Sequence, residues 1–151
     1  MAHLSDSKAQ MLAEKLILSG VEEHLGLPKD SLQTTKIPLD DFVSVEIDGY
    51  SKDYKIMVEV FSRLGKLAPA HYEKLANDVL KLKLVEDKLQ VFHKKYIAVC
   101  GKEAERYLLG SSWKAYAAKY YDFEIVRIEL DVENKNMILD AQAKQREGMK
   151  L

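Results

Sequence analysis

The chain has 151 residues, 47% apolar and 31% charged, which is the size of one domain with enough apolar material for a real core. Lysine plus arginine (23) nearly balances aspartate plus glutamate (24), so an overall basic field for gripping phosphates is excluded and any nucleic-acid affinity needs a local basic face. One cysteine excludes an internal disulfide, and no apolar run approaches the ~18–20 residues of a membrane span. The opening residues lack the basic start, apolar stretch and small-residue cleavage site of a signal peptide, so the expected location is the cytoplasm, with no membrane partner.

In chain order, Ser7-Lys8-Ala9-Gln10 has the form of a capping box, and Ala9, Leu12, Ala13, Leu16, Ile17 and Val21 recur at helical spacing. A first helix is predicted over 7–25, stopped by Gly26 and Pro28. Residues 42–50 alternate as a strand, with Val43, Val45 and Ile47 on one face and Ser44, Glu46 and Asp48 on the other. After a turn at 49–53, a second strand over 54–63 puts Ile56, Val58 and Val60 opposite Met57, Glu59 and Phe61. The short connection predicts an antiparallel pair, and a short third strand fits beside it.

Pro69 then suits the first turn of a helix over 69–90, its predicted buried side formed by Tyr72, Leu75, Ala76, Val79, Leu80 and Leu82. Lys74, Asp78, Lys81 and Lys88 fall on the other side. A buried strand follows at 95–100, a helix in one or two pieces over 102–121 broken at 110–112, and a strand at 123–130. This order predicts an α/β single domain over 1–133, a mixed central sheet flanked by helices. From residue 134 a polar helical tail extends to 151, free to fray or to dock on a second copy, so a homo-oligomer stays open.

Chemistry centres on Asp48 and Glu59, carboxylates on neighbouring strands. Two such groups can hold Mg²⁺, a hard cation that takes oxygen ligands and keeps several waters. The same residues also fit a plainer role, with Asp48 opening an Asp-Gly turn and Glu59 facing a lysine at a solvated edge.

The stretch Val45-Glu46-Ile47-Asp48-Gly49, followed by Met57-Val58-Glu59-Val60-Phe61, resembles the PD-(D/E)XK nuclease superfamily, and the order of elements resembles it over roughly 7–130. The resemblance implies a restriction-endonuclease-like αβββαβ core, with Asp48 and Glu59 as metal ligands, Mg²⁺ as cofactor, and DNA or RNA as partner. It also implies a lysine two residues after the glutamate, to position water and offset charge in the transition state. Phe61 stands there and can do neither. The catalytic cation is then expected from Lys74 on the following helix or from Arg63, acting beside Glu59. A further acidic residue is implied from the first helix, where Glu14, Glu22 and Glu23 are all available and Glu14 is taken as the candidate.

The run from Phe61 to Lys74 gathers Arg63, Lys66, His71 and Lys74, a candidate phosphate-binding patch and equally an ordinary loop and helix face. Other templates fail: no phosphate-cradling glycine loop is present, and the four histidines lack zinc spacing. Cys100 ends an apolar strand as a structural thiol, and Ser112 reads as a helix cap. Trp113, Tyr116, Tyr120 and Tyr121 read as packing or interface residues. The expectation is a nuclease-like protein hydrolysing phosphodiesters with Mg²⁺; the alternative is a catalytically inactive binding or assembly module of the same fold.

Overall fold

The computed structural model describes residues 6–149. Residues 1–5, 150 and 151, on which the readings of a leader and of the far end of the tail fell, lie outside the described residues. Helix α1 (Asp6–Leu25) is followed by strands β1 (Gln33–Pro38), β2 (Ser44–Ser51) and β3 (Ile56–Phe61). Helix α2 (Pro69–Leu89) leads into β4 (Lys94–Val99), helices α3 (Lys102–Leu108) and α4 (Trp113–Tyr120) into β5 (Phe123–Arg127), and α5 (Val132–Met149) comes last. The first six elements run α, β, β, β, α, β. The extra strand precedes the central pair, whereas the sequence left room for it elsewhere. Only Ile37 of β1 is buried, so an edge strand of this kind carries no alternating apolar signal.

The sheet has the order β1-β2-β3-β4-β5, antiparallel from β1 to β3 and parallel from β3 to β5. Its central strands are apolar almost throughout because both faces are covered. One core layer joins Met57, Phe61, Ile97 and Val99 to Leu75, Val79, Leu82 and Val85 of α2 and to small residues of α3 and α4. The other joins Ile56, Val58, Val60, Tyr96 and Ala98 to Ala13, Ile17 and Val21 of α1 and to Ile138 of α5. The molecule is thus an α/β single domain, a mixed sheet between two helical layers. No described helix is long and apolar enough to cross a membrane.

Two local choices follow from packing. Gly20 breaks the apolar rhythm of α1 because a Cβ there would meet Ile128 at 2.3 Å, so glycine lets the helix approach the chain after β5. Ser112 caps α4, its hydroxyl accepting from the Ala115 N–H at 3.1 Å. Charge is also buried: Lys95, 2% exposed, lies 2.9 Å from both Glu86 oxygens and ties the start of β4 to the end of α2. Cys100 is buried and its thiol is pushed up to about 11 by burial, as suits a structural group.

The segment read as a tail forms α5 and packs on α1, with Ile138 and Gln142 buried. Gln142 clamps the loop after β3 at both backbone groups of Leu64: its Oε1 accepts from the N–H at 2.8 Å and its Nε2 donates to the carbonyl at 3.0 Å. A Gln142→Leu substitution keeps the bulk and strands both buried backbone groups, so urea denaturation should show a loss of about 2–4 kcal/mol. Wild-type stability in that variant would mean that the clamp carries no weight.

Candidate functional site

Pairing of β2 with β1 shifts register between Gln33 and Thr35, which face Tyr50 and Ile47, so β2 carries one extra residue around Asp48 and Gly49. The bulge lets Val45, Ile47 and Tyr50 all face the α2-side core although strict alternation would send Tyr50 away. Gly49 meets α1 instead, where a Cβ would lie 2.5 Å from Leu18. Asp48 therefore sits inside a bulged strand and not at the strand end that the Asp-Gly pair suggested.

Rungs between β2 and β3 stop at Gly49–Val58. One residue further, the side chains take over. The Asp48 N–H donates to Glu59 Oε2 at 3.0 Å, and the Val60 N–H donates to Asp48 Oδ2 at 2.9 Å. Each carboxylate thus bonds the backbone of the other strand. The expected pair is brought together, but at different depths: Asp48 is half-buried, whereas Glu59 is 1% exposed.

A carboxylate so deeply buried needs a charged partner. It is Lys81 of α2 whose Nζ meets Glu59 Oε1, and the same Nζ donates to the Glu46 carbonyl at 2.8 Å. Burial lowers the Lys81 pKa, while Asp48 and Glu46 oppose that shift. The sequence reading put Lys81 on the outer side of this helix and Leu80 on the inner side. In fact Leu80 is 67% exposed, and Asp78 and Lys81 face the sheet.

Lys74, the expected replacement cation, pairs with Asp78 at 3.1 Å and lies 5.9 Å from the centre of the Phe61 ring. Burial pushes Asp78 up to about 6; Lys74 pulls the other way and the Asp48 charge adds to the rise. Glu14 is also raised, mainly by half-burial and then by Asp48, with a hydrogen bond from Gln10 at 3.2 Å opposing the shift. Lys81 thus sits on Glu59 and Lys74 on Asp78, and the Asp48 charge is felt at both Glu14 and Asp78. His71 accepts the Ala68 N–H on Nδ1 at 2.8 Å, and burial and then Arg63 lower its pKa, so above mildly acidic pH it adds a neutral ring to the patch. Arg63, His71, Lys74 and Glu14 line one cavity of about 260 Å³. Lys66 is exposed on the loop and is not part of that wall.

No family model, curated protein or solved structure matches the chain. Among the described residues no three His, Cys, Asp or Glu side chains form a ready metal cage. The donor chemistry nevertheless suits Mg²⁺, which commonly takes one or two carboxylates and fills the remaining positions with water. The upward shifts of Glu14 and Asp78 come first from burial, with the Asp48 charge a smaller contribution of the same sign.

Two outcomes test this geometry. Native Asp78 keeps its proton to about pH 6, whereas the ordinary group releases it at 3.8. The native state binds more protons in that window, so stability falls as pH rises through it, by up to about 3 kcal/mol. Asp78→Asn should remove that slope in urea titrations at pH 4 and pH 7; an unchanged slope would place the proton elsewhere. Separately, Lys81→Met should cost about 3–5 kcal/mol by leaving Glu59 buried without its partner. The double variant Glu59→Gln/Lys81→Met should regain most of this, whereas simple additivity would show that the two groups do not interact.

Proposed function

We propose that the chain is a nuclease-like protein of the PD-(D/E)XK type that hydrolyses phosphodiesters of DNA or RNA with Mg²⁺, its centre being the crossed carboxylates of β2 and β3. The observation that carries this reading is Lys81 seated on Glu59. Phe61 occupies the place where the resembled motif has its lysine, and a lysine from the next helix reaches the same carboxylate. Lys81 replaces Lys74 and Arg63 as the catalytic cation in this proposal. Those two become phosphate-binding residues, with Lys66 further out and His71 as a neutral neighbour.

Asp48 and Glu59 would hold the ion. The chemistry supplied by Mg²⁺ when bound is activation of water and neutralisation of charge growing on the phosphoryl oxygens. Lys81 keeps a positive charge beside Glu59 and offsets negative charge developing there. Asp78, with its pKa near 6, can take up or release a proton close to neutral pH. The unmatched, buried Cys100 thiol fits a reducing compartment, so the cytoplasm belongs to the same proposal.

A second reading, a catalytically inactive binding or assembly module, is favoured by one observation. Both Glu59 oxygens are already bonded, to Lys81 and to the Asp48 N–H, and the side chain is almost fully buried. Activity separates the two readings. With millimolar Mn²⁺ or Mg²⁺, wild type should cleave labelled DNA or RNA. The folded double variant Glu59→Gln/Lys81→Met should fall by about 10²–10³-fold, and Lys74→Met should weaken substrate binding and lower the rate far less. Equal residual cleavage in wild type and the double variant would leave the inactive module as the answer.

A further inference from the structure

The cavity beside the centre has an electrostatic feature that says which kind of phosphate Arg63 and Lys74 would bind. Its walls come from α1 (Ala9, Glu14), the chain just after β3 (Arg63), α2 (Lys74) and α5 (Gln142, Gln145). Arg63 is half-buried on this wall, and its Nε is buried with no hydrogen-bond partner among the described residues. Among the described residues no carboxylate pairs with it either. Arg146, two turns beyond Ile138 on α5, carries a charge of the same sign and lowers its pKa, second only to burial. A protein interior seldom leaves a buried guanidinium donor unmet, and the five-donor fork of arginine matches the oxygens of a phosphate.

We propose that this cavity binds a phosphate monoester, the terminal phosphate of a nucleic-acid strand, with Arg63 as its principal ligand and Lys74 as the second cation. The monoester chemistry stands on the cavity alone; its assignment to a strand end rests on the nuclease reading above. Size and shape decide against an internal phosphodiester. About 260 Å³ lies below the ~300–1,000 Å³ typical of organic-ligand sites, so the cavity suits a phosphate and part of one nucleotide. A continuous strand would have to leave on both sides of a cavity that α1, α2, α5 and the chain after β3 all line. A monoester also carries up to two negative charges, which answers an arginine whose neighbour is a second arginine. Glu14 lines the same cavity, and burial raises its pKa.

The test is fluorescence anisotropy with the full chain in EDTA, so that binding is read without cleavage. The probes are one short single-stranded oligonucleotide with a 5′-phosphate, with a 3′-phosphate, or with hydroxyls at both ends. One phosphorylated form should bind about tenfold tighter than the hydroxyl form, and inorganic phosphate should compete with it. Arg63→Gln should erase the preference. Gln145→Glu, an exposed change at the cavity mouth, should weaken it without touching the core, and so keeps the test open should Arg63→Gln misfold. Equal binding of all three probes with no competition by phosphate overturns the proposal. Equal binding of the probes with competition by phosphate overturns the strand-end assignment. A terminal-phosphate preference without hydrolysis in Mg²⁺ sinks the nuclease reading and leaves this site standing.

Discussion

Glu59 is a charged side chain in the middle of a central strand, between Met57 and Phe61 and almost wholly out of water. An unpaired charge there would cost more than the marginal stability of a domain of this size. The surrounding structure can be understood as the means of holding that charge. The Asp48 N–H and the Lys81 ammonium neutralise it, and Asp48 in turn accepts from the Val60 N–H. For those contacts to form, β2 must bulge at Asp48 and Gly49, the ladder must end at Val58, and α2 must present Lys81 inward. Each departure from regular geometry near the centre follows from the one buried carboxylate.

The same constraint propagates outward. Turning the Lys81 side of α2 toward the sheet also brings in Asp78, whose proton stays on to about pH 6 in these surroundings, and exposes Leu80. Lys74 then lies over the edge of the cavity with Asp78, near the Phe61 ring. On the other sheet face, α5 closes the cavity and holds the loop after β3 through Gln142, which fixes the segment that carries Arg63. Two different charge problems therefore sit side by side: excess carboxylate at the splay and an unmatched guanidinium in the cavity. On the proposed reading a metal ion would answer the first and a phosphate the second, the combination that a phosphodiester hydrolase requires.

Most of the element order was legible because it rests on strong periodic signals. The buried run of β4, the capped start of α4 at Ser112 and the proline start of α2 all left clear marks. The edge strand β1 did not, since Ile37 alone points into the core. Asp48 and Glu59 could be paired from the motif they resemble, yet the bulge that lets them cross is invisible to simple alternation. Lys81 was missed for a specific reason: counting Leu80 as inward turned the helix by one position, and the inward face is in fact mixed. The sequence did hold a clue. Asp78, Leu82 and Val85 recur at helical spacing next to Lys81, so a polar residue already belonged to the inward stripe. With Phe61 two residues after Glu59, it is a cation on that stripe that reaches the buried glutamate.

Manganese, a paramagnetic stand-in for Mg²⁺, offers the most direct view of the centre by NMR. Substoichiometric Mn²⁺ broadens amide signals according to their distance from the bound ion. If the crossed carboxylates hold a metal, the amides of Asp48, Gly49, Glu59 and Val60 should broaden first, and Asp48→Ala should abolish the effect. Broadening confined to another acidic surface, such as that around Glu129 and Asp131, or no selective broadening at millimolar metal, would contradict a metal centre at the splay of β2 and β3.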